Sequence, residues 1–242
     1  MGFYRGPNIV TDGLIYAIDA GSERCYPGSG TAVTAITGVG NGTLANGVGF
    51  DSANGGSWTF DGADDYVGFG SNFLVPGVSQ YDTITDFTID VWVNWDNFAV
   101  TGTYDEIISW WRPGTDPYAD GFLGTSKNSG QGGSAANPSI RFGDDWNNTG
   151  VTFTSATDTG KWFNIVAIKT SNNAYLYVNG ILKATKGSAL SWGFNYYPTI
   201  GRHPNGGEYL DGKVSNMKLY NTALTATQVL QNFNAQKSRF GL

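Results

Sequence analysis

The chain has 242 residues, 14 Lys plus Arg against 20 Asp plus Glu for a net charge of −6, 35 glycines, and equal shares of aromatic and charged residues at 14% each. Its basic residues never group into a run, which excludes nucleic acid as a partner because phosphate binding relies on clustered Lys and Arg. The lone Cys25 excludes an internal disulfide, and no apolar stretch reaches the ~18 residues that span a bilayer.

Abundant glycine with few charges, against roughly 25% charged residues in an average globular protein, implies many turns and aromatic strands and few charged helix faces. Short apolar or alternating runs between Gly, Asn, Asp and Ser clusters predict strands over Leu14–Asp19, Ser57–Phe60, Asp65–Phe69, Phe87–Trp95, Glu106–Trp111, Ser139–Phe142, Lys161–Lys169, Ala174–Val178, Ile181–Ala184 and Lys213–Tyr220. Residues 1–56 are expected to hold one strand and long loops, with Gly28–Gly56 and Thr125–Pro138 as surface loops. From Phe87 to Trp95 the apolar residues fall on one strand face and Thr88, Asp90, Asn94 and Asp96 mark the other. Only Trp92 interrupts that polar side, and a loop is expected to cover it. Asn179-Gly180 suits the type I′ turn of a tight hairpin. Thr225 with Gln228 forms a capping box ahead of Val229, Leu230 and Phe233, so a single helix is expected over 225–236. No internal repeat is visible, and the chain reads as one domain over 1–242.

The start, Met1-Gly2-Phe3-Tyr4-Arg5-Gly6, has neither the apolar run of a signal peptide nor the Ser or Thr of a myristoylation signal. A protein without membrane insertion, not exported by an N-terminal signal, is expected.

Four phrases occur in one order: Asp61-Gly62-Ala63-Asp64-Asp65-Tyr66-Val67, Phe87-Thr88-Ile89-Asp90-Val91-Trp92-Val93, Tyr175-Leu176-Tyr177-Val178-Asn179-Gly180, and Leu210-Asp211-Gly212-Lys213 through Asn221. With the helical ending after Ala223-Leu224-Thr225, they resemble the landmarks of the laminin-G-like, concanavalin-A-like family. The resemblance implies an all-β, two-sheet antiparallel jelly-roll sandwich with one short C-terminal helix. The opening from Gly6-Pro7-Asn8 to Ala20-Gly21, the stretches Tyr26–Gly30 and Asn41–Leu44, and the ending Asn234–Leu242 are similar to those of laminin-G-like proteins of phages of aquatic bacteria. That similarity implies a virion component, either a capsid decoration or a tail or capsid fibre. It would be displayed on the particle exterior, made in the cytoplasm of a bacterial host, and would contact other virion proteins as a homo-oligomer.

Enzymes of this fold carry Glu-x-Asp-x-x-Glu on one strand, which places acid and nucleophile at the separation that retaining hydrolysis needs. The three glutamates, Glu23, Glu106 and Glu208, do not stand in that pattern. A non-enzymatic protein is therefore expected, with a carbohydrate-binding lectin module and a glycoside hydrolase as the alternatives. The one histidine, His203, is read as loop surface. Trp111, Arg112 and Tyr118, with Asp144, Asp145 and Trp146, combine flat aromatic faces with planar hydrogen-bonding groups and are the candidate ligand-binding residues for a host-surface glycan. Trp110 and Trp111 point to opposite faces of their strand, so at least one belongs to the core. Asp116 with Asp120 is the candidate metal pair, and Asp64-Asp65 and Asp144-Asp145 are further Asp groups, because Asp clusters in loops supply hard oxygen ligands for Ca²⁺. The resemblance likewise implies Ca²⁺ at the rim, and turn capping is the competing use of each Asp.

Overall fold

A computed structural model of the chain describes residues 7–37, 40–69, 84–98, 102–110, 121–143, 149–187, 198–203 and 206–242. In chain order the strands are β1 (Leu14–Asp19), β2 (Ala32–Val33), β3 (Gly42–Ala45), β4 (Gly49–Asp51), β5 (Ser57–Asp61), β6 (Tyr66–Gly68), β7 (Phe87–Asn97), β8 (Tyr104–Trp110), β9 (Gly121–Ser126), β10 (Ser139–Phe142), β11 (Trp162–Lys169), β12 (Asn173–Val178), β13 (Ile181–Gly187), β14 (Thr199–Ile200) and β15 (Asp211–Tyr220). Two α-helices accompany them, α1 (Ser155–Asp158) and α2 (Ala226–Gln236).

The strands form two antiparallel sheets. One runs β13-β12-β11-β7-β15-β5-β4, with β1 joining it against β15; the other runs β10-β9-β8-β14-β6-β3-β2. The sheets face each other across one apolar cluster. Phe87, Ile89, Val91, Val93 and Trp95 enter it from β7, and Ile108, Trp110, Leu123, Ile140 and Phe142 enter from the second sheet. Period-two alternation puts each set on one face. Phe87 meets Trp110 and Phe142 edge-on, with ring centroids 5.9 and 6.1 Å apart. The sheets are also tied by a polar contact, since Trp95 Nε1 donates to Asp105 Oδ1 at 3.4 Å while Asp105 Oδ2 accepts from Thr125 Oγ1 at 2.7 Å.

The polar side of β7 is roofed rather than solvated. Asn232 of α2 donates to Asp90 at 2.8 Å, and Asn164 of β11 donates to the other carboxylate oxygen at 2.7 Å. Trp92 stacks on Phe240 with centroids 4.0 Å apart and donates from Nε1 to Gln236 Oε1. Trp92 is therefore covered by the C-terminal helix and the turn behind it, not by a loop. Thr225 and Gln228 make the expected capping box, and α2 follows directly from it. Asn179 and Gly180 both take positive φ, 51° and 76°, as the predicted hairpin turn requires.

Three further expectations need correction. The stretch Gly28–Gly56 is not simply loop, because β2, β3 and β4 lie in it; their two to four residues are too short for alternation to register. The start of Thr125–Pro138 completes β9, and a short α1 adds a helix the periodicity does not signal. None of the helices among the described residues is long and apolar enough to cross a membrane.

Candidate functional site

With α2 covering the eight-stranded sheet, the outer face of the seven-stranded sheet is where polar side chains gather. Glu106 of β8 pairs with Gly124 of β9, which pairs with Arg141 of β10, so the three stand in one row across that face. Gly124 makes the row fit, since a Cβ there would strike the Asp105 carbonyl and lie 2.7 Å from Glu106 Oε2. The Arg141 guanidinium is held flat between two rings, 4.0 Å from the Tyr104 centroid and 4.1 Å from that of Phe122. Its Nη2 donates to Glu106 and, at 3.2 Å, to Glu208. Glu208 comes from the loop after β14, whose backbone folds back so that the Glu208 carbonyl accepts from Glu106 N at 3.0 Å. Holding that loop puts Glu208 at φ 53°, a left-handed backbone that costs a non-glycine residue about 1 kcal/mol or more.

The row continues toward β6. Ser109 Oγ and Thr199 Oγ1 both donate to the Arg202 carbonyl, at 2.6 and 3.0 Å. The Arg202 guanidinium lies 3.4 Å above the Tyr66 ring centroid, and that ring in turn lies across Gly68. His203 joins the two halves, because Glu208, Arg141 and Arg202 all act on its charge. Burial lowers the His203 pKa, so the imidazole is uncharged at neutral pH. Burial pushes the Glu106 carboxyl well above the ordinary range; Arg141 opposes this, and Glu208 and Asp105 reinforce it. Glu106 Oε2 and Arg141 Nε are buried and find no partner among the described residues. Tyr66, Tyr104, Phe122, Tyr209, Arg202 and Glu208 are all partly exposed. The face thus offers ring planes beside fixed, planar hydrogen-bonding groups, an arrangement suited to a polar ligand with an apolar face.

A second cluster lies at the turn between β5 and β6. Asp61, Asp64 and Asp65 bring one carboxylate oxygen each within 4.8 Å of the others. Asp61 Oδ1 already accepts from Ala63 N at 2.9 Å, and Asp65 Oδ2 from Asp61 N at 3.2 Å. Asp65 is buried, and desolvation followed by the Asp61 charge raises its pKa. Oxygen donors at this spacing could hold a hard cation such as Ca²⁺.

The candidate ligand residues Trp111, Arg112, Tyr118, Asp144, Asp145 and Trp146, and the candidate metal pair Asp116 and Asp120, lie outside the described residues. Trp110 is fully buried in the core, as opposite facing of the pair requires. His203 corrects its reading as loop surface, since it is partly buried beside two arginines and Glu208. The row Glu106, Arg141 and Glu208 was missed. Its signal was a lone Arg inside the apolar run Ser139-Ile140-Arg141-Phe142 and a Glu opening Glu106-Ile107-Ile108, each a charge where a strand should bury it.

The fold recurs in solved structures of low sequence identity. Trypanosoma rangeli sialidase in complex with sialic acid superposes with a TM-score of 0.64 at 15% identity, covering 96% of this chain and 34% of that one. The receptor-binding domain of botulinum neurotoxin type G gives 0.61 at 12% identity, covering 93% of this chain and 52% of the other. Domain 4 of AbnA, an extracellular arabinanase of Geobacillus stearothermophilus, in complex with arabinotriose, gives 0.61 at 13% identity, with 91% and 98% covered. The chain thus spans about a third of the sialidase and about half of the neurotoxin receptor-binding domain. No curated protein matches the sequence. Residues 61–230 match Laminin_G_3, described as the concanavalin A-like lectin/glucanases superfamily, and the chain belongs to that family.

Proposed function

We propose that this chain is a non-enzymatic phage virion protein, displayed on the particle exterior as a capsid decoration or fibre component, that binds a host-surface glycan through the outer face of its seven-stranded sheet. The observation that carries the glycan reading is the clamped row Tyr104–Arg141–Phe122 with Glu106 and Glu208, continued by Arg202 on Tyr66. The arabinanase domain in complex with arabinotriose and the sialidase in complex with sialic acid support it by analogy of fold. The virion reading rests on the phrases at both ends of the chain that resemble phage laminin-G-like proteins. Apolar side chains left exposed at Ile181, Leu182, Leu230 and Leu242 supply surface for a neighbouring subunit, of the same or another virion protein.

Catalysis is the second reading, favoured by one feature: two glutamates brought together by a single arginine. Complete burial of Glu106 weighs against its touching a substrate. A glycan array read with wild-type protein and the Tyr104→Ala variant tests binding, and quantitative mass spectrometry of purified particles tests the virion role. Absence of the protein from particles overturns the virion reading, absence of any bound glycan overturns recognition, and release of reducing ends from glycans would favour the enzyme.

A further inference from the structure

Among the described residues, two arginines stand on the outer face of the seven-stranded sheet, and they are not equivalent. Arg141 is already paired, its head between two rings and its Nη2 on two carboxylates. Arg202 has no carboxylate within ion-pair distance among the described residues. By contrast Arg239, Lys213 and Lys218 each have one within 4.0 Å, at Asp19, Asp51 and Asp90. Arg202 is nonetheless held in place. Its carbonyl is fixed by the Ser109 and Thr199 hydroxyls, and its guanidinium plane by the Tyr66 ring at 3.4 Å. That ring lies over Gly68, where a Cβ would come within 3.0 Å of it. An ordered, partly exposed fork on an aromatic platform has already lost the freedom that ligand binding would otherwise take from it.

We infer that the glycan taken by this face carries a negative charge on the sugar, a carboxylate or a sulfate ester, and that Arg202 receives it. This rests on the glycan reading above and deepens it. A guanidinium fork matches the two oxygens of a carboxylate or sulfate in a way a point charge cannot. Tyr209, partly exposed, follows Arg202 in the same loop. His203 beside the fork is uncharged at neutral pH, and the Glu208 carboxylate is countered by Arg141, so neither opposes an arriving anion strongly. The net charge of −6 repels polyanions at long range. An acid-sugar preference would therefore report the local fork and not bulk attraction.

Isothermal titration with matched pairs tests this: an oligogalacturonate against its methyl ester, and a sulfated against a desulfated galactan oligosaccharide. The expected result is binding at least tenfold tighter for the charged member of one pair, with the responding pair identifying the group. In Arg202→Gln the ratio falls to about one, and Arg202→Lys recovers only part of it. Equal affinity for both members in the wild type, or a ratio unchanged in Arg202→Gln, overturns the inference and leaves glycan recognition standing. Binding to neither pair, combined with an empty glycan array, removes both.

Discussion

Arg239, in the turn after α2, holds Asp19 at the end of β1 with two hydrogen bonds, Nη1 to Oδ2 at 2.8 Å and Nη2 to Oδ1 at 3.0 Å. The same guanidinium donates to the carbonyls of Asn54, Gly55 and Gly56, and Ser215 Oγ lies 2.7 Å from its Nη2. One side chain therefore joins β1, the turn before β5, and β15. Replacement of Arg239 by Ala is expected to cost about 2–4 kcal/mol, since it strands a carboxylate and several carbonyls at once. Lysine should rescue little, having one donor group where a fork is used. Urea unfolding monitored by tryptophan fluorescence measures both, and a loss under 1 kcal/mol for Arg239→Ala would show that the contacts are dispensable.

The Glu106–Arg141 pair should behave as a buried pair does. Arg141→Met strands the buried Glu106 carboxyl without its guanidinium partner, and a loss of about 3–5 kcal/mol is expected. Adding Glu106→Gln to that variant should restore more than half of the loss, because the two side chains share one interaction. Strict additivity of the two substitutions in chemical denaturation would contradict the pairing.

At the β5–β6 turn, Asp61 and Asp64 both add to the cost of ionising Asp65. Asp64→Asn is expected to raise the melting temperature by about 1–2 °C in EDTA, by relief of like-charge repulsion. Differential scanning calorimetry decides the sign, and a lowered midpoint would mean that the Asp64 carboxylate is stabilising as it stands.

Alkaline pH should weaken the fold. Burial raises the Cys25 thiol from 9.0 to about 11, and burial raises the phenols of Tyr16 and Tyr220 far above their usual value. Each group keeps its proton in the folded chain where the unfolded chain has lost it, so stability falls as pH rises. For Cys25 the loss runs from pH 9 to about 11, and Cys25→Ala should flatten the stability curve in that window. Stability that stays level between those pH values in the wild type would refute the assignment.

Much of the fold was legible because long strands announce themselves. Phe87 to Trp95 alternates over nine residues, and Thr225 with Gln228 names its own helix start. The short strands β2, β3, β4 and β14 have no such signal; only pairing with distant partners makes them strands, as Thr43 does with Gly68 and Thr199 with Ser109. The row on the seven-stranded sheet was not legible. Aromatic faces beside planar polar groups were sought on single stretches of chain, but Glu106 and Arg141 meet through a glycine between them on β9, and Glu208 arrives from 67 positions beyond Arg141. Spacing along the chain carries no trace of such a row. Gly124 is the residue that records it, and Gly124→Ala should cost about 2–3 kcal/mol through the clash with Asp105 and Glu106.

The pairing of β1 with β15 sets the timing of folding. Leu14 lies opposite Tyr220, and Val10 bonds to both Asn232 and Tyr220. At 5–20 residues per second, a growing chain would wait on the order of 10–40 s between releasing its first strand and releasing the partner that closes on it. Throughout that interval Tyr16 and Ile18 lack the strand that pairs with theirs, and the eight-stranded sheet lacks its central β15. The protein is therefore expected to acquire its native sheet order only once β15 has been released, and a ribosome stalled before residue 211 should hold a chain that proteases cut readily.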